Sequence, residues 1–537
     1  VPILLTAVAF AQDSLIGGTQ PLELALPLTP STSCTSCHAG WAEAPHDQLR
    51  GSMMAMAMHD PMFQASLTIA EQDIPGIGEF CLRCHTPIGW LAGRCVPGDG
   101  SALTGDDYEG IGCDTCHRMT LDPEGPLIGN ARYTIHPSTD KRSSRESGYA
   151  SHGVETDPFT ATSELCGVCH EVSNPLFGDF PIERTYSEWA ASAYNRAGPD
   201  EKQCQGCHLE IVRGYASNSG APARDVHLHR IVGANTLVPA ILAAERPDLG
   251  VSAELLATAD AAAEHLTKAA TVELDTTAPA VAGSDWSFAV TVTNQAGHKL
   301  PTGYPEGRRL WLEVVVTDAA GTELLHSGAL DPATSALDAD DPQLRKYEAR
   351  LGSGGQYSYH MVEQNEILFD SRIPPKGFRP GTNGTGTEML PVGRDYPVQP
   401  DGSLAHWDTA PYTLALPDTA VTPLTVRATL WHQTTTAEFV AFLRDENVTN
   451  ELGDEWYRMW EDAGKDAPGA VTDDLATVVV APAPPPPATT TDDDGGDDDR
   501  KGCGCADAGG AGAAAVALGA LAALSARRRP REVTSRW

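Results

Sequence analysis

Five times in this chain a pair of cysteines with two residues between them is followed at once by a histidine. The motifs are CTSCH (Cys34, Cys37, His38), CLRCH (Cys81, Cys84, His85), CDTCH (Cys113, Cys116, His117), CGVCH (Cys166, Cys169, His170) and CQGCH (Cys204, Cys207, His208). Two thiols at this spacing can each add to one of the two vinyl groups of a haem, and the adjoining imidazole can then reach the iron from one face. Zinc also takes paired thiolates, but it does not require a histidine directly after every second cysteine. Thioredoxin-like motifs do not require it either, and they sit in a βαβ setting that is missing here. The expected cofactor is therefore haem c, five copies, covalently attached.

An iron that only passes electrons works best with two strong axial ligands, so histidines outside the motifs matter. His46, His59, His136, His152, His227 and His229 lie among or just after the motifs. Of these, His229 is the strongest candidate for a distal ligand, with His152 and His46 next. Spacing alone does not make ligands of both His227 and His229. A further candidate lies far downstream: His298, in Gly297-His298-Lys299-Leu300-Pro301-Thr302-Gly303, where flanking Gly and Pro predict a fixed loop after a strand. The ordinary alternative for such a residue is a histidine hydrogen-bonded to nearby backbone. Met53, Met54, Met56 and Met58 read chiefly as adaptable packing, and the unpaired Cys95 as a small buried residue.

The elements that must carry these groups fall into a multidomain order. Residues 30–235, a pentahaem cytochrome c domain, show little periodicity, so short helices and irregular structure are expected there, with the macrocycles supplying much of the core. Within it, 48–58 reads as a helix stopped by Asp60-Pro61. Residues 236–269 are Ala- and Leu-rich and predict linking helices. The pattern then turns to strands at 286–294, 309–317, 324–327, 357–369 and 424–434, with Asp318 to Gly321 as a hairpin turn. Strands in series without intervening helices predict an antiparallel β-sandwich domain of the immunoglobulin class over 270–480. Residues 481–501 form a Pro- and Asp-rich linker, and 502–537 combine Cys503 and Cys505, a small-residue apolar stretch and an arginine cluster.

A formal charge of -35 excludes nucleic acid as a partner, because phosphates require Lys and Arg. Residues 1–11 read as the remnant of a signal peptide, an apolar run with an A-x-A site at Ala9-Phe10-Ala11. This predicts export.

Beyond the motifs, GSMMAMAMHDPMF, EFCLRCHTPIGW, GIGCDTCHR, ELCGVCHEVSNP, PIERTYSEW and HRIVGAN resemble multihaem c-type cytochromes related to the tetrahaem electron carriers of ammonia oxidisers. That resemblance implies a distal histidine at His229 and an electron-transfer role, and it continues downstream in GHKLPTGYPEGRRLWLEVVV and DSRIPPKGF. The tail resembles the C-terminal sorting signals of myxobacterial surface proteins, which implies removal near Cys503 and delivery to the cell surface or outer membrane. Read from span length alone, the same stretch is a membrane anchor. The expected function is an exported carrier that passes electrons to other redox proteins or extracellular acceptors, with self-association also open. The alternative is an oxidoreductase in which one open-coordinate haem acts on a small nitrogen or oxygen compound.

Overall fold

The computed structural model describes residues 17–146, 148–381, 389–465 and 468–484. The leader at 1–11, nearly all of the linker and the whole of the tail lie outside the described residues. Contacts group the chain up to Ala483 as one unit.

The segment carrying the motifs is built from short pieces. Its strands pair in twos over two to four residues, as in Met119–Thr120 with Thr134–Ile135 and Ile211–Gly214 with Arg224–His227. Its longest described helix, Pro61–Asp73, does not lie where 48–58 predicted one. Asp60-Pro61 starts a helix here instead of ending one: the Asp60 carboxylate accepts from the amides of Met62 and Phe63, and Pro61 occupies a first-turn position where no N–H is needed. Upstream, the Pro45–Leu49 helix gives way to successive turns. At Gly51 the chain passes so close to the distant Ser252–Leu266 helix that an added Cβ would stand 2.4 Å from Glu254 Cβ.

The linking helices, Leu237–Glu245 and Ser252–Leu266, do more than connect. Val238, Ile241, Leu242 and Leu255 share one apolar cluster with Met56, Ala65 and Ile69 from the motif-bearing segment. The same cluster takes in Phe439, Leu443, Trp456 and Trp460 from two further helices, Ala437–Asp445 and Leu452–Asp462. These last two correct the expectation of strands alone. Their signals are local: Thr436 caps the first by accepting from the Phe439 amide, and Trp456, Met459 and Trp460 fall on one face of the second.

The β-half holds two main antiparallel sheets. One orders Trp407–Ala415, Asp285–Asn294 and Ala270–Asp275; the other orders Glu323–Ser327, Arg309–Thr317, Leu424–Gln433 and Gly469–Val478, with Arg345–Tyr347 also on Arg309–Thr317. Alternation decides which side chains meet. Trp286, Phe288, Val290 and Val292 from the first sheet share a core with Leu310, Leu312, Val314, Leu424, Val426 and Leu430 from the second. Each such side chain taken from water stabilises the half by roughly 1.5–3 kcal/mol. The hairpin at Asp318 forms as expected, with its carboxylate accepting from the amides of Ala320 and Thr322. The run 357–369 is not continuous strand. It breaks where Tyr359 and His360 turn to pack on Phe442 and His360 meets the Asp73 carboxylate, and it resumes at Glu366–Asp370.

Candidate haem-binding site

Each motif lies on or at the end of a short helix, as in Gly78–His85, Cys113–Arg118 and Gln205–His208. On a helix the residues i, i+3 and i+4 share a face, so both thiols and the imidazole of a motif present together. Neighbouring side chains fix these helices. Arg118, fully buried, donates to the carbonyls of Leu26, Pro27 and His136. Arg83 lies over the Trp90 ring, 4.3 Å from its centre.

Three motif imidazoles face a second imidazole at one common spacing. His38 and His152, His117 and His229, and His208 and His298 all have ring centres 6.3 Å apart. A metal–nitrogen bond of about 2 Å on each side, plus roughly 1 Å from each nitrogen to its ring centre, gives a spacing of about 6 Å for two imidazoles on one iron. His265, which the sequence reading did not single out, also approaches His208, but at 5.1 Å and a 49° tilt. That is too close for an iron between them in the same geometry.

The hydrogen bonds of the six rings agree with this. Nδ1 faces a backbone carbonyl in every case: Ala216 for His38, Gly153 for His152, Arg142 for His117, His227 for His229, Val232 for His208 and Lys299 for His298, at 2.7 to 3.0 Å. A carbonyl only accepts, so Nδ1 carries the proton and Nε2 keeps its lone pair for a metal. Burial holds His208 and His229 down to about 4, and it lowers His117 and His298 as well. Neutral imidazoles are the ligating form.

The other two motif histidines are held differently. The His85 ring stacks on Phe63 at 3.6 Å, and burial pulls its pKa down to about 4. His170 lies 3.4 Å from Glu183; burial acts against its protonated form, but the carboxylate outweighs this and raises its pKa. Among the described residues neither has an imidazole at the 6.3 Å spacing. Nor do His46, His59 and His136 stand at that spacing from a motif histidine. His46 is bound to Asp47, His59 lies against Tyr108, and His136 accepts from the Ser138 amide at Nδ1, which puts its proton on Nε2. His227 donates to the Leu209 carbonyl, beside the pair formed by His229.

Thiols of different motifs also meet. Cys34 and Cys113, Cys84 and Cys169, and Cys166 and Cys204 are within hydrogen-bond reach, and Cys116 acts electrostatically on Cys166 and Cys169. All five motifs are thus linked into one connected set. Cys95 is buried and outside it; Met56 and Met58 are buried in apolar clusters. The sequence reading also passed over His432, only 3% exposed with neither ring nitrogen hydrogen-bonded, and the Arg308 cation acting on it. His432 lies on the inward face of a regular strand, where alternation gives no sign of a polar role.

Residues 33–118 match the family described as cytochrome c554 and c-prime. The fold is similar to that of a penta-heme cytochrome c552 from Thermochromatium tepidum, with a TM-score of 0.52 and 18% identity over 84% of this chain and 99% of that one. AvmM, which catalyses macrocyclization in alchivemycin A biosynthesis, aligns over 40% of this chain and 91% of its own at 12% identity, with a TM-score of only 0.15. No curated protein matches in sequence. The family match covers the first three motifs, and the shared fold extends over most of the chain.

Proposed function

We propose that this chain is an exported electron conduit carrying five haems c. Cys34, Cys37, Cys81, Cys84, Cys113, Cys116, Cys166, Cys169, Cys204 and Cys207 would hold the macrocycles, with His38, His85, His117, His170 and His208 as proximal ligands. His152, His229 and His298 would be the distal ligands opposite His38, His117 and His208. The observation that carries this reading is the set of three imidazole pairs at 6.3 Å with every Nδ1 tied to a carbonyl. Haem supplies one-electron chemistry at iron; the chain fixes axial nitrogens, excludes water by burial and sets neighbouring motifs in contact. The two main sheets form an antiparallel sandwich in this reading. The tail at 502–537 would deliver the protein to the cell surface, with other redox proteins or extracellular acceptors as partners. The mature protein should exceed its polypeptide mass by five haems under denaturing conditions, and Cys84→Ser should loosen one of them. Four or fewer in fully matured material would overturn the stoichiometry.

One observation favours a second reading. His85 and His170 have no imidazole at the ligating spacing among the described residues, so one of these haems could stay open and act on a small nitrogen or oxygen compound. EPR of the oxidised protein separates the two: low-spin signals alone support the conduit, and a high-spin signal that vanishes on adding nitrite or hydroxylamine supports an enzyme.

A further inference from the structure

His298 is the one proposed axial ligand that comes from the β-half, and its loop rests on a buried set of four charges. Glu188, on the Thr185–Ala190 helix of the motif-bearing segment, is fully buried. Its Oε2 accepts from the Lys299 amide at 3.1 Å and from the Thr302 hydroxyl at 2.7 Å, and its Oε1 lies 3.0 Å from Arg372. Arg372 in turn grips Asp370 through two nitrogens at 2.9 and 2.8 Å, and the Asp370 carboxylate takes the Lys299 ammonium at 2.6 Å. Two cations and two anions thus balance with no solvent exposure to speak of.

The backbone on both sides of the histidine is caught in the same structure. Asn294 donates to the His298 carbonyl at 2.9 Å, Glu188 holds the Lys299 amide, and His298 Nδ1 donates to the Lys299 carbonyl. Gly297 packs on Trp189 and Tyr194, which precede the last motif. We infer that Glu188, Lys299, Asp370 and Arg372 are positioning residues that lock His298 opposite His208, so that one axial bond clamps the β-half to the haem-bearing segment. Side chains that hold a ligating imidazole tune both how tightly it binds and the potential of its metal. A buried ion set also resists displacement, because loss of any member leaves its partner charged and unmatched.

This inference rests on the reading of His298 as a ligand, and the test keeps the two apart. In the fully haem-loaded chain, His298→Ala identifies the low-spin EPR signal that depends on this imidazole. Glu188→Gln should keep five covalent haems and the remaining signals, shift the g-values and potential of that one signal, and speed capture of its iron by cyanide about tenfold. Thr302→Val, nearly isosteric, should act in the same direction by roughly two- to fivefold, and it carries the test if Glu188→Gln does not fold. If His298→Ala abolishes the signal while Thr302→Val and Glu188→Gln leave its g-values and cyanide rate unchanged, the positioning role is overturned and the ligand reading stands. If His298→Ala leaves every signal low-spin, both fall. A parallel His265→Ala then tells whether that neighbouring imidazole serves His208 instead.

Discussion

The motif-bearing segment and the β-half use polypeptide in opposite ways. In Asp285–Asn294 alternate side chains are buried against a facing sheet, so the strand's own pattern states what it packs on. In the segment from Cys34 to His229 the buried residues gather in patches such as Leu82, Trp90, Leu103 and Tyr133, threaded with the thiols of Cys81, Cys84 and Cys169. A segment whose core is completed by prosthetic rings needs correct local spacing and no long period. On the proposed function, the difference teaches that weak periodicity can accompany a well-defined site where covalently attached rings would complete the core.

The largest effect that could break this comparison comes from blocking haem attachment altogether. In such protein, hydrogen exchange should become fast throughout 34–235 while 285–294, 309–317 and 424–433 keep protected amides. Simultaneous loss of protection in both halves would show that they are a single cooperative unit. Next in size is Trp456→Ala. This fully buried ring belongs to the apolar cluster shared by both halves, and its removal should cost about 3–5 kcal/mol in denaturant unfolding. A smaller loss would mean that the halves hold together through other contacts.

A third test sharpens the β-half by pH. Burial pushes the Glu306 carboxyl up from 4.5 to about 8, against hydrogen bonds from the Leu351 amide and the Tyr357 hydroxyl. Because the folded state holds a proton that the unfolded chain releases, this group's stabilisation is full below about pH 4.5 and is lost as pH rises through 8. Glu306→Gln should flatten that slope, a change on the order of 5 kcal/mol across the window. An unaltered pH profile would assign the slope to other groups. The smallest effect is expected on the outer face, where half-buried Thr291 and exposed Thr409 share a cross-strand hydrogen bond of 3.0 Å. Thr291→Val should change stability by less than about 0.5 kcal/mol, and a larger loss would mean that this face is covered by something.

Local sequence leaves open those elements whose partners lie far along the chain. Asp60-Pro61 is compatible with the end of one helix or the start of another, and only the position of the Met62 and Phe63 amides decides between them. Of the two helices after Thr436, the first carried a threonine cap and the second an amphipathic face, but a series of strands on either side obscured them. Tyr359 and His360 have strand-forming neighbours, and distant partners, Phe442 and Asp73, pull them out of line.

What the sequence determined by itself is the donor set each motif offers, because two thiols and an imidazole within five residues meet on one helical face whatever the rest of the chain does. It also determined four strands of the two main sheets, Asp285–Asn294, Arg309–Thr317, Glu323–Ser327 and Leu424–Gln433, but not their neighbours Ala270–Asp275, Trp407–Ala415 and Gly469–Val478, whose places are set by pairing with those four. Only the tertiary structure decided which histidines face one another. His152, His229 and His298 come from a loop, the end of a strand pair and the β-half; HRIVGAN marks His229 by resemblance and flanking Gly and Pro mark a fixed loop at His298, but neither says which motif histidine it faces, and nothing near His152 separates it from His46. Their pairing depends on distances closed by the whole fold, and local spacing carries no information about those.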